Sequence, residues 1–387
     1  MSNLTFISKL IERAVALRLT GHLIDNNLHE VLHSAYRQHH STETALLKVQ
    51  NDLLISLDTD GGAFLVLLDL SAAFDTIDHK ILLQRLYDLG VRGDALEWFR
   101  SYLTGRKQSV MIKGTRSNER DLIYGVLQGS VLGPILFTIY TIPLGDIARR
   151  YGLCYHLYAD DKQLYIYISF KQADGHSVVL SVEKIQQCYL DIKAWMTQNL
   201  LKLNDDKTEL LLLMRRNLRN VSPVSHIDLN MVPVHPSTTI RNLGAMFDHH
   251  MDMKSFVNMK CKATMHSLRN ISCVRRSLKT EACKTLVQAY VTSKLDYCNS
   301  LLYGIPDSLV HKLKRVQHYA ARVITMTRKY DHIKPVLSRL HWLPIEQRIQ
   351  FKLLLYVYKA LHGLAPAYLS DMLVPYQPCR PLRSSEK

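Results

Sequence analysis

An apolar stretch in the first quarter of the chain constrains the fold more than any other feature. Residues 63–70, AFLVLLDL, contain Asp69 as their one polar side chain. A strand that is apolar at nearly every position is buried on both faces. The sequence therefore predicts an interior strand, in a chain whose 387 residues leave room for two or three subdomains around a large core.

The segments around this strand predict a mixture of helices, strands and turns. Residues 6 to about 50 have a helical pattern, broken by DNNLHE and by SAYRQHHSTET. Asp78 can cap a helix that Gly90 ends, and Pro134 fits the first turn of a later helix. A long helix is predicted near 178–199, a strand at KTELLLLM, and mostly helix beyond about residue 250. Together they predict one compact α/β body with a helical C-terminal extension.

The chain carries a strong positive charge that is concentrated in its C-terminal part. The formal net charge is +15, and residues 251–350 hold 18 Lys and Arg against 6 Asp and Glu. A localised basic surface is typical of proteins that bind a polyanion such as nucleic acid. A solvated basic helix face would give the same charge, so composition alone leaves both interpretations open.

Cysteine usage and hydropathy indicate an intracellular protein. The seven cysteines include no CxxC pair, which favours a reducing compartment and structural or incidental thiols. Charged residues interrupt the apolar N-terminus, and no apolar run reaches the ~18 residues of a membrane span. We therefore expect no membrane partner and a nuclear or cytoplasmic protein that is not secreted.

Two adjacent carboxylates stand out in LYADDKQLY, residues 157–165. Alternation on both sides predicts a β-hairpin with Asp160 and Asp161 at its solvent-facing tip. Adjacent like charges are unfavourable unless a cation lies between them, and hard divalent cations take such oxygen ligands. If the strand ending at Asp69 lies beside the hairpin, the three carboxylates could hold two Mg²⁺ ions for phosphoryl transfer, with Mn²⁺ as a substitute. The alternative is a surface turn and a strand-end cap.

Four blocks that occur in a fixed order carry a family resemblance. LLDLSAAFDTIDH, GVLQGSVLGPILF, YADD and LNDDKTELLLL together resemble the reverse transcriptase of non-LTR (LINE-type, jockey-like) retrotransposons. HSTETALLKVQNDLL and the segment from Arg328 to Leu373 extend the resemblance over nearly the whole chain. The resemblance implies a right-hand polymerase of the α/β (α+β) class. It would have an antiparallel-sheet palm, partial fingers and a helical thumb with a C-terminal extension.

The resemblance also implies a division of the chain into regions. Residues 1–60 would be partial fingers, 61–225 the palm with the catalytic carboxylates, 226–250 a primer-grip-like hairpin, and 251–387 the basic helical thumb and C-terminal extension. Seven basic residues, named here by region, would be suitable phosphate contacts: Lys254, Lys260, Lys262, Arg269, Arg275, Arg276 and Lys279.

Carried over by position, the resemblance assigns a role to each matching residue. Asp69, Asp160 and Asp161 would be the metal ligands, with Asp160 the more direct of the last two. Phe74 would be the bulky gate that excludes a ribose 2′-hydroxyl, although a core Phe is the alternative.

The remaining matches concern the nucleotide and the template. Gln128 and Gly129 would pack against nucleotide and template. Lys207 would protonate or neutralise the leaving pyrophosphate, although a solvated Lys is the alternative. Arg37 would be the fingers arginine near the template strand.

The chain also departs from the family pattern. Leu127 stands where the family usually has Pro, which would loosen the turn before Gln128. In the family pattern a small polar residue stands where this chain has Lys162, and the Lys162 ammonium could pair with Asp161 and compete with metal, or point into solvent. The resemblance begins inside the fingers, so we expect an N-terminally truncated copy that lacks an Arg-Pro nucleotide-binding segment and the endonuclease domain.

The sequence thus predicts an RNA-directed DNA polymerase that adds dNTPs to a DNA primer on an RNA template. A second chain could supply the endonuclease or the missing fingers. A catalytically inactive nucleic-acid-binding remnant is the alternative. A two-metal nuclease is a weaker interpretation, because Phe74 and the Gln128–Gly129 block would have no purpose in it.

Overall fold

The elements of the computed structural model cover residues 5–59, 61–71, 73–170, 176–216 and 224–375, which are the residues that the structure describes. Its α-helices are α1 (Phe6–Asp25), α2 (Thr42–Thr59), α3 (His79–Asp88), α4 (Gly93–Leu103), α5 (Leu132–Tyr140), α6 (Pro143–Arg150), α7 (His176–Gln198), α8 (Lys254–Val274), α9 (Thr280–Val287), α10 (Ser293–Asp296), α11 (Asp307–Thr325), α12 (Lys334–Arg339), α13 (Ile345–Leu361) and α14 (Ala367–Ser370).

The strands, most of them short, are β1 (Gly61–Leu68), β2 (Leu70–Ser71), β3 (Lys107–Gln108), β4 (Met111–Ile112), β5 (Thr115–Arg116), β6 (Arg120–Asp121), β7 (Cys154–Tyr158), β8 (Asp161–Ser169), β9 (Lys202–Leu203), β10 (Glu209–Met214), β11 (Ile227–Leu229), β12 (Val232–Val234), β13 (Pro236–Ser237), β14 (Thr239–Asn242) and β15 (Ala245–Asp248). Short 3₁₀ turns lie at Asp205–Lys207, Arg275–Ser277 and Asn299–Leu302, and a π-helical turn lies at Gln288–Thr292.

Backbone contacts divide the chain into two units. Unit 1 comprises residues 1–37 and 49–256, and unit 2 comprises residues 38–48 and 257–387. Unit 1 holds the sheet and every carboxylate singled out above, whereas unit 2 is helical in its described part. The names fingers, palm and thumb remain predictions for these regions.

The predicted interior strand lies at the centre of the main sheet of unit 1. The strand order is β13-β10-β1-β8-β7, and all neighbours are antiparallel except the short β10–β13 pair. The predicted antiparallel palm sheet is therefore present. β1 lies between two partners and has a helix layer on each face, which explains why its sequence tolerates no polar residue before Asp69.

Alternate side chains of β1 enter two different layers. Phe64, Val66 and Leu68 are buried in the main core together with Phe137 of α5 and Ile185 of α7. Burial of each such side chain stabilises the fold by ~1.5–3 kcal/mol. The opposite face is covered by α2, in which Ser56 donates a hydrogen bond to the Gly62 carbonyl and Asp52 accepts one from Tyr165.

Unit 2 buries two basic side chains, and the prediction that they contact phosphates is wrong. Lys260 is 4% exposed, and its ammonium donates to the carbonyls of Lys294, Leu295 and Tyr297 at the end of α10. The guanidinium of Arg275 donates to carbonyls at the end of α11. The last carbonyls of a helix have no intrahelical donor. Lys260 and Arg275 supply that donor, and these hydrogen bonds hold the two cations in place.

The other five basic residues of that set, Lys254, Lys262, Arg269, Arg276 and Lys279, are exposed, and their role as phosphate contacts stays a prediction.

The described cysteines are free thiols: Cys154, Cys188, Cys261, Cys273, Cys283 and Cys298. Cys379 lies outside the described residues. Burial raises the pKa of the Cys188 thiol to about 12, so this side chain is unreactive at neutral pH and acts as a small apolar core residue. This agrees with the structural role predicted for it. In the described part of the chain, no helix is both long enough and apolar enough to cross a bilayer.

We expect Lys260→Met to change how stability depends on pH. Burial lowers the pKa of Lys260 to about 8 from 10.5, so folding disfavours its charged form. The unfolded chain then binds more protons between pH 8 and 10.5, and the wild type gains stability as pH rises through that range. Between pH 7 and 9.5, the wild type should gain about 2 kcal/mol relative to Lys260→Met in urea unfolding. An unfolding difference that does not vary with pH would contradict this burial.

Candidate functional site

The adjacent carboxylates lie where the two strands of the predicted hairpin meet. Ala159 and Asp160 form the turn between β7 and β8, and Asp161 already pairs with Tyr158 as the first residue of β8. Ala159 has φ +54°, in the left-handed region that tight hairpin turns require. The predicted hairpin is confirmed, although its tip is formed by Ala159 and Asp160 while Asp161 already belongs to β8.

Antiparallel pairing brings the third carboxylate to the same corner. Leu68, the last residue of β1, pairs with Lys162 of β8. Asp69 follows Leu68, and Asp161 precedes Lys162. Because the strands are antiparallel, Asp69 therefore lies opposite Asp161. The expectation that the strand ending at Asp69 lies beside the hairpin is confirmed.

The electrostatics of this corner show that the carboxylates influence one another. Partial burial, then the charge of Asp160, raise the pKa of Asp161, and the charge of Asp69 adds to the increase. Like charges held this close disfavour full ionisation unless a cation joins them. The corner is therefore an electronegative cluster, which a plain surface turn would not require.

Lys207 provides one such cation. It ends the 3₁₀ turn at Asp205–Lys207, directly before β10, which pairs with β1. Its Nζ lies 3.0 Å from Asp69 Oδ2, and the hydrogen bond to Asp69 raises the pKa of Lys207. The Lys207 side chain is 67% exposed and that of Asp69 is 22% exposed, so the pair can open to solvent. The structure thus brings Asp69, Asp160, Asp161 and Lys207 to one corner of the sheet, and their catalytic roles stay a prediction.

Lys162 provides a second cation from inside the protein. The expectation that it could point into solvent is wrong, because it is 2% exposed and donates a hydrogen bond to the Ala159 carbonyl. Nor does it form the ion pair with Asp161 that the sequence left open. Burial lowers its pKa to about 8, while the charges of Asp160, Asp161 and Asp69 oppose that decrease.

The donor chemistry of the cluster suits a divalent cation. Carboxylate oxygens are the ligands that Mg²⁺ and Mn²⁺ prefer. Within the described residues, no three His, Cys, Asp or Glu side chains converge closely enough to form a ready-made metal site. Lys207 donates a hydrogen bond to Asp69, so one of the three candidate ligands already has a cationic partner. The three carboxylates have the donor atoms and the charge that suit a divalent cation. Such a cation would compete with Lys207 for Asp69.

Phe74, five residues after Asp69, is held by aromatic stacking. Its ring stacks on Phe137 with centroids 4.8 Å apart and an interplanar angle of 29°. Its carbonyl accepts a hydrogen bond of 2.8 Å from Val126 N. The side chain is half-buried, and its stack on Phe137 anchors it to the core. This geometry accommodates both the gate and the core alternatives for Phe74.

The block that contains Gln128 and Gly129 forms an exposed turn before α5. Gln128 Nε2 donates to the Asp75 carboxylate at 3.2 Å, and Gly129 has φ +96°, which favours glycine. Ser130 closes the turn by donating to the Leu127 carbonyl at 2.7 Å. The turn that Leu127 was expected to loosen is therefore fixed by a side-chain hydrogen bond.

Glu12 is a supporting residue that the sequence analysis missed. It is 1% exposed on α1, and its carboxylate accepts hydrogen bonds from Val131 N at 2.6 Å and from Tyr102 OH at 3.1 Å. Its hydrogen bond to Val131 N ties the turn of Gln128 and Gly129 to α1. The only sequence signal was an acidic residue among the apolar positions of α1.

Arg37 lies in a segment that braces the hairpin. Its guanidinium donates to the carbonyls of Glu30 and His33 at 2.9 and 3.0 Å. The same segment joins β7 through a hydrogen bond of 3.0 Å from Ser34 N to the Leu157 carbonyl. The structure therefore places Arg37 as a brace beneath the corner. Its predicted template contact stays a prediction.

Tyr36, the exposed neighbour of Arg37, was also missed. Burial and then the charge of Asp160 raise the pKa of its phenol.

The hairpin at 240–248, formed by β14 and β15, lies within the region 226–250 and is joined to β8. The role of that region as a primer grip stays a prediction. β14 pairs with β15, and Asn242 Nδ2 donates to Gln163 Oε1 on β8 at 2.9 Å. Both side chains are buried, so this bond holds the hairpin directly against the strand that carries Asp161.

The reverse transcriptase (RNA-dependent DNA polymerase) family profile matches residues 1–247. The chain therefore belongs to the reverse transcriptase family, which confirms the predicted polymerase fold class.

Relatives point to non-LTR elements, as the motifs indicated. A protein described as a probable RNA-directed DNA polymerase from transposon BS of Drosophila melanogaster is 26% identical over 335 residues, which cover 84% of this chain and 36% of that protein. The RNA-directed DNA polymerase from mobile element jockey of Drosophila funebris is 32% identical over 166 residues, covering 41% and 18%. The chain thus spans about a third of the first of these relatives.

Among solved structures, telomerase from Candida albicans in complex with a fragment of telomeric RNA is similar with a TM-score of 0.42 and 12% identity, covering 96% of this chain and 59% of that chain.

We expect Glu12→Ala to destabilise the turn of Gln128 and Gly129. The substitution leaves Val131 N without its buried acceptor, and an unsatisfied buried donor costs ~1–3 kcal/mol. Urea unfolding should show this loss, whereas Glu97→Ala, at an exposed position of α4, should change stability by less than about 0.5 kcal/mol. Equal stability of the two variants would contradict the assigned hydrogen bonds.

Proposed function

We propose that this chain is the polymerase core of a non-LTR retrotransposon reverse transcriptase, which adds dNTPs to the 3′ end of a DNA primer on an RNA template. The observation that carries the proposal is the corner of the antiparallel sheet where Asp69, Asp160 and Asp161 meet beside Lys207. Membership of the reverse transcriptase family supports the same reaction.

Each residue of the corner has a chemical task in this proposal. Asp69, Asp160 and Asp161 would hold two Mg²⁺ ions, or Mn²⁺, which supply charge stabilisation to the attacking and leaving oxygens. Lys207 is bound to Asp69 in the structure, and its exposed side chain can release that carboxylate and contact the pyrophosphate instead. There its ammonium would protonate the leaving group or neutralise its charge.

The residues around the corner would select and position the nucleotide. Phe74, fixed by its stack on Phe137, would block a ribose 2′-hydroxyl. Gln128 and Gly129 would form the wall against nucleotide and template, supported by the Glu12 hydrogen bond to Val131 N. The hairpin of β14 and β15 would hold the primer end, since Asn242 ties it to β8.

The proposal extends to partners and location. The exposed Lys and Arg residues of unit 2 would contact the phosphates of an RNA–DNA duplex. Arg37 would act near the template strand. The protein would work inside the cell, in the nucleus or cytoplasm. A second chain could supply endonuclease activity or further fingers elements.

A catalytically inactive nucleic-acid-binding protein is the alternative, and two observations favour it. Lys162 adds a buried positive charge beneath the proposed metal ligands, and the three carboxylates do not form a ready-made site among the described residues. Such a protein would bind duplex with strong salt dependence but would add no nucleotide.

We expect the purified chain to extend a DNA primer on an RNA template with dNTPs and Mg²⁺ or Mn²⁺. Asp160→Asn should reduce extension by at least about a thousandfold, because it removes a carboxylate from the metal cluster. Asp94→Asn, a matched change at an exposed helix position of unit 1, should leave extension intact. Equal extension by wild type and Asp160→Asn would contradict the assigned site. Duplex binding without extension by any variant would favour the inactive alternative.

We expect Phe74→Val to weaken sugar discrimination. If the Phe74 ring blocks the 2′-hydroxyl, the ratio of kcat/KM for dCTP to that for CTP should fall by at least about tenfold. The control is Phe99→Leu, a core substitution in α4, which should leave the ratio unchanged. A slower reaction with an unchanged ratio would assign Phe74 to the core and not to the gate.

A further inference from the structure

Lys162 lies in an unusual position for a lysine. It is the second residue of β8, pairs with Leu157 on one side and Leu68 on the other, and is 2% exposed. Side chains alternate along a strand, so Lys162 points to the face opposite that of Asp161. Its ammonium bonds to the carbonyl of Ala159, within the turn that carries Asp160. The charge therefore lies directly beneath the carboxylate cluster, on its protein side.

No dedicated carboxylate neutralises this charge. Within the described residues, no Asp or Glu oxygen lies within salt-bridge distance of Lys162 Nζ, and the nearest aromatic contact is the Phe137 ring, 5.4 Å away at its centroid. The carboxylates that stabilise the charged form are Asp160, Asp161 and Asp69. The ammonium and the cluster are thus electrostatic partners across the sheet.

Burial of this charge has a cost that packing alone does not explain. A buried ammonium is strongly disfavoured unless nearby charges compensate it. A neutral side chain would fill the same strand position without this cost. Because Lys207 also binds Asp69, the cluster has protein cations on two sides.

We propose that Lys162 is a resident cation of the carboxylate cluster, a positioning residue that reduces the affinity of the three carboxylates for divalent metal ions. The inference rests on the proposed function, since it takes the same carboxylates as the metal ligands. With a neutral residue at position 162, the same three carboxylates would bind divalent ions more tightly. This chain would therefore need a higher metal concentration to fill the site.

The test is a Mn²⁺ titration of the purified full chain, read by electron paramagnetic resonance, which needs no polymerase activity. Lys162→Met removes the charge and keeps the length of the side chain. Lys162→Gln removes the charge and keeps a hydrogen-bond donor for the Ala159 carbonyl. Lys260→Met, the matched control, removes a buried ammonium from unit 2. Asp160→Asn identifies which bound Mn²⁺ belongs to the cluster.

The proposal predicts about five- to tenfold tighter Mn²⁺ binding in both neutral variants of Lys162, because one repulsive charge in a low-dielectric site has been removed. Lys260→Met should bind Mn²⁺ as the wild type does. A residue that only shaped the turn would instead weaken binding when replaced. Tighter binding in Lys162→Met and Lys162→Gln therefore separates an electrostatic role from a structural one.

Three other results would overturn the inference. Equal affinity of the wild type and the neutral variants, with binding lost in Asp160→Asn, would contradict it and leave the proposed metal site intact. Absence of cluster-specific Mn²⁺ binding in every protein would contradict both. Loss of the folded state in both neutral variants, seen by circular dichroism, would assign Lys162 to folding alone.

Discussion

The candidate site of unit 1 depends on the antiparallel pairing of β1 with β8, which holds three mutually repelling carboxylates at one corner of the sheet. Asp69 and Asp161 come level because β1 and β8 are antiparallel neighbours, and Asp160 forms the turn beside them. A one-residue shift of the β1–β8 register would exchange side chains between the two faces and would move Asp69 away from Asp161, so this register fixes the corner. The protein tolerates the repulsion by surrounding the corner with cations and braces.

These braces come from separate parts of the sequence. The segment of Ser34 and Arg37 supports β7, and Asn242 holds the 240–248 hairpin against β8. Glu12 fixes the turn that contains Gln128 from α1, more than 100 residues away in the sequence. A site built in this way has rigid backbone and exposed side-chain tips, which suits a reaction that relies on positioning and charge stabilisation.

Much of this was predictable from the sequence because it depends on local pattern. The apolar run before Asp69 predicted an interior strand, alternation predicted the hairpin at Asp160, and the resemblance placed Lys207 beside the cluster. The burial of Lys162 was not predicted, although the signal existed. Lys162 shares the phase of Leu164, Ile166 and Ile168, which enter the core. The alternation along β8 predicts a buried side chain at position 162. Lysine side chains are usually exposed, so Lys162 was expected in solvent or in an ion pair.

Tertiary contacts explain the other misses. Lys260 falls on the buried face of α8 with Phe256 and Leu268, and only the end of α10 shows why a charge is accepted there. The partners of Glu12 are Val131 N and Tyr102 OH, which no local pattern connects to α1. Such long-range hydrogen bonds follow from the assembled fold, so sequence periodicity cannot reveal them.

The most direct test of the central claim is a crystal structure of the chain with an RNA–DNA primer-template, a non-hydrolysable dNTP analogue and Mn²⁺, recorded with anomalous scattering. The account predicts two anomalous peaks ~3.5–4 Å apart among Asp69, Asp160 and Asp161, with Lys207 released from Asp69. A bound duplex whose primer end lies at this corner without any anomalous peak, and with the Lys207–Asp69 pair still closed, would contradict it.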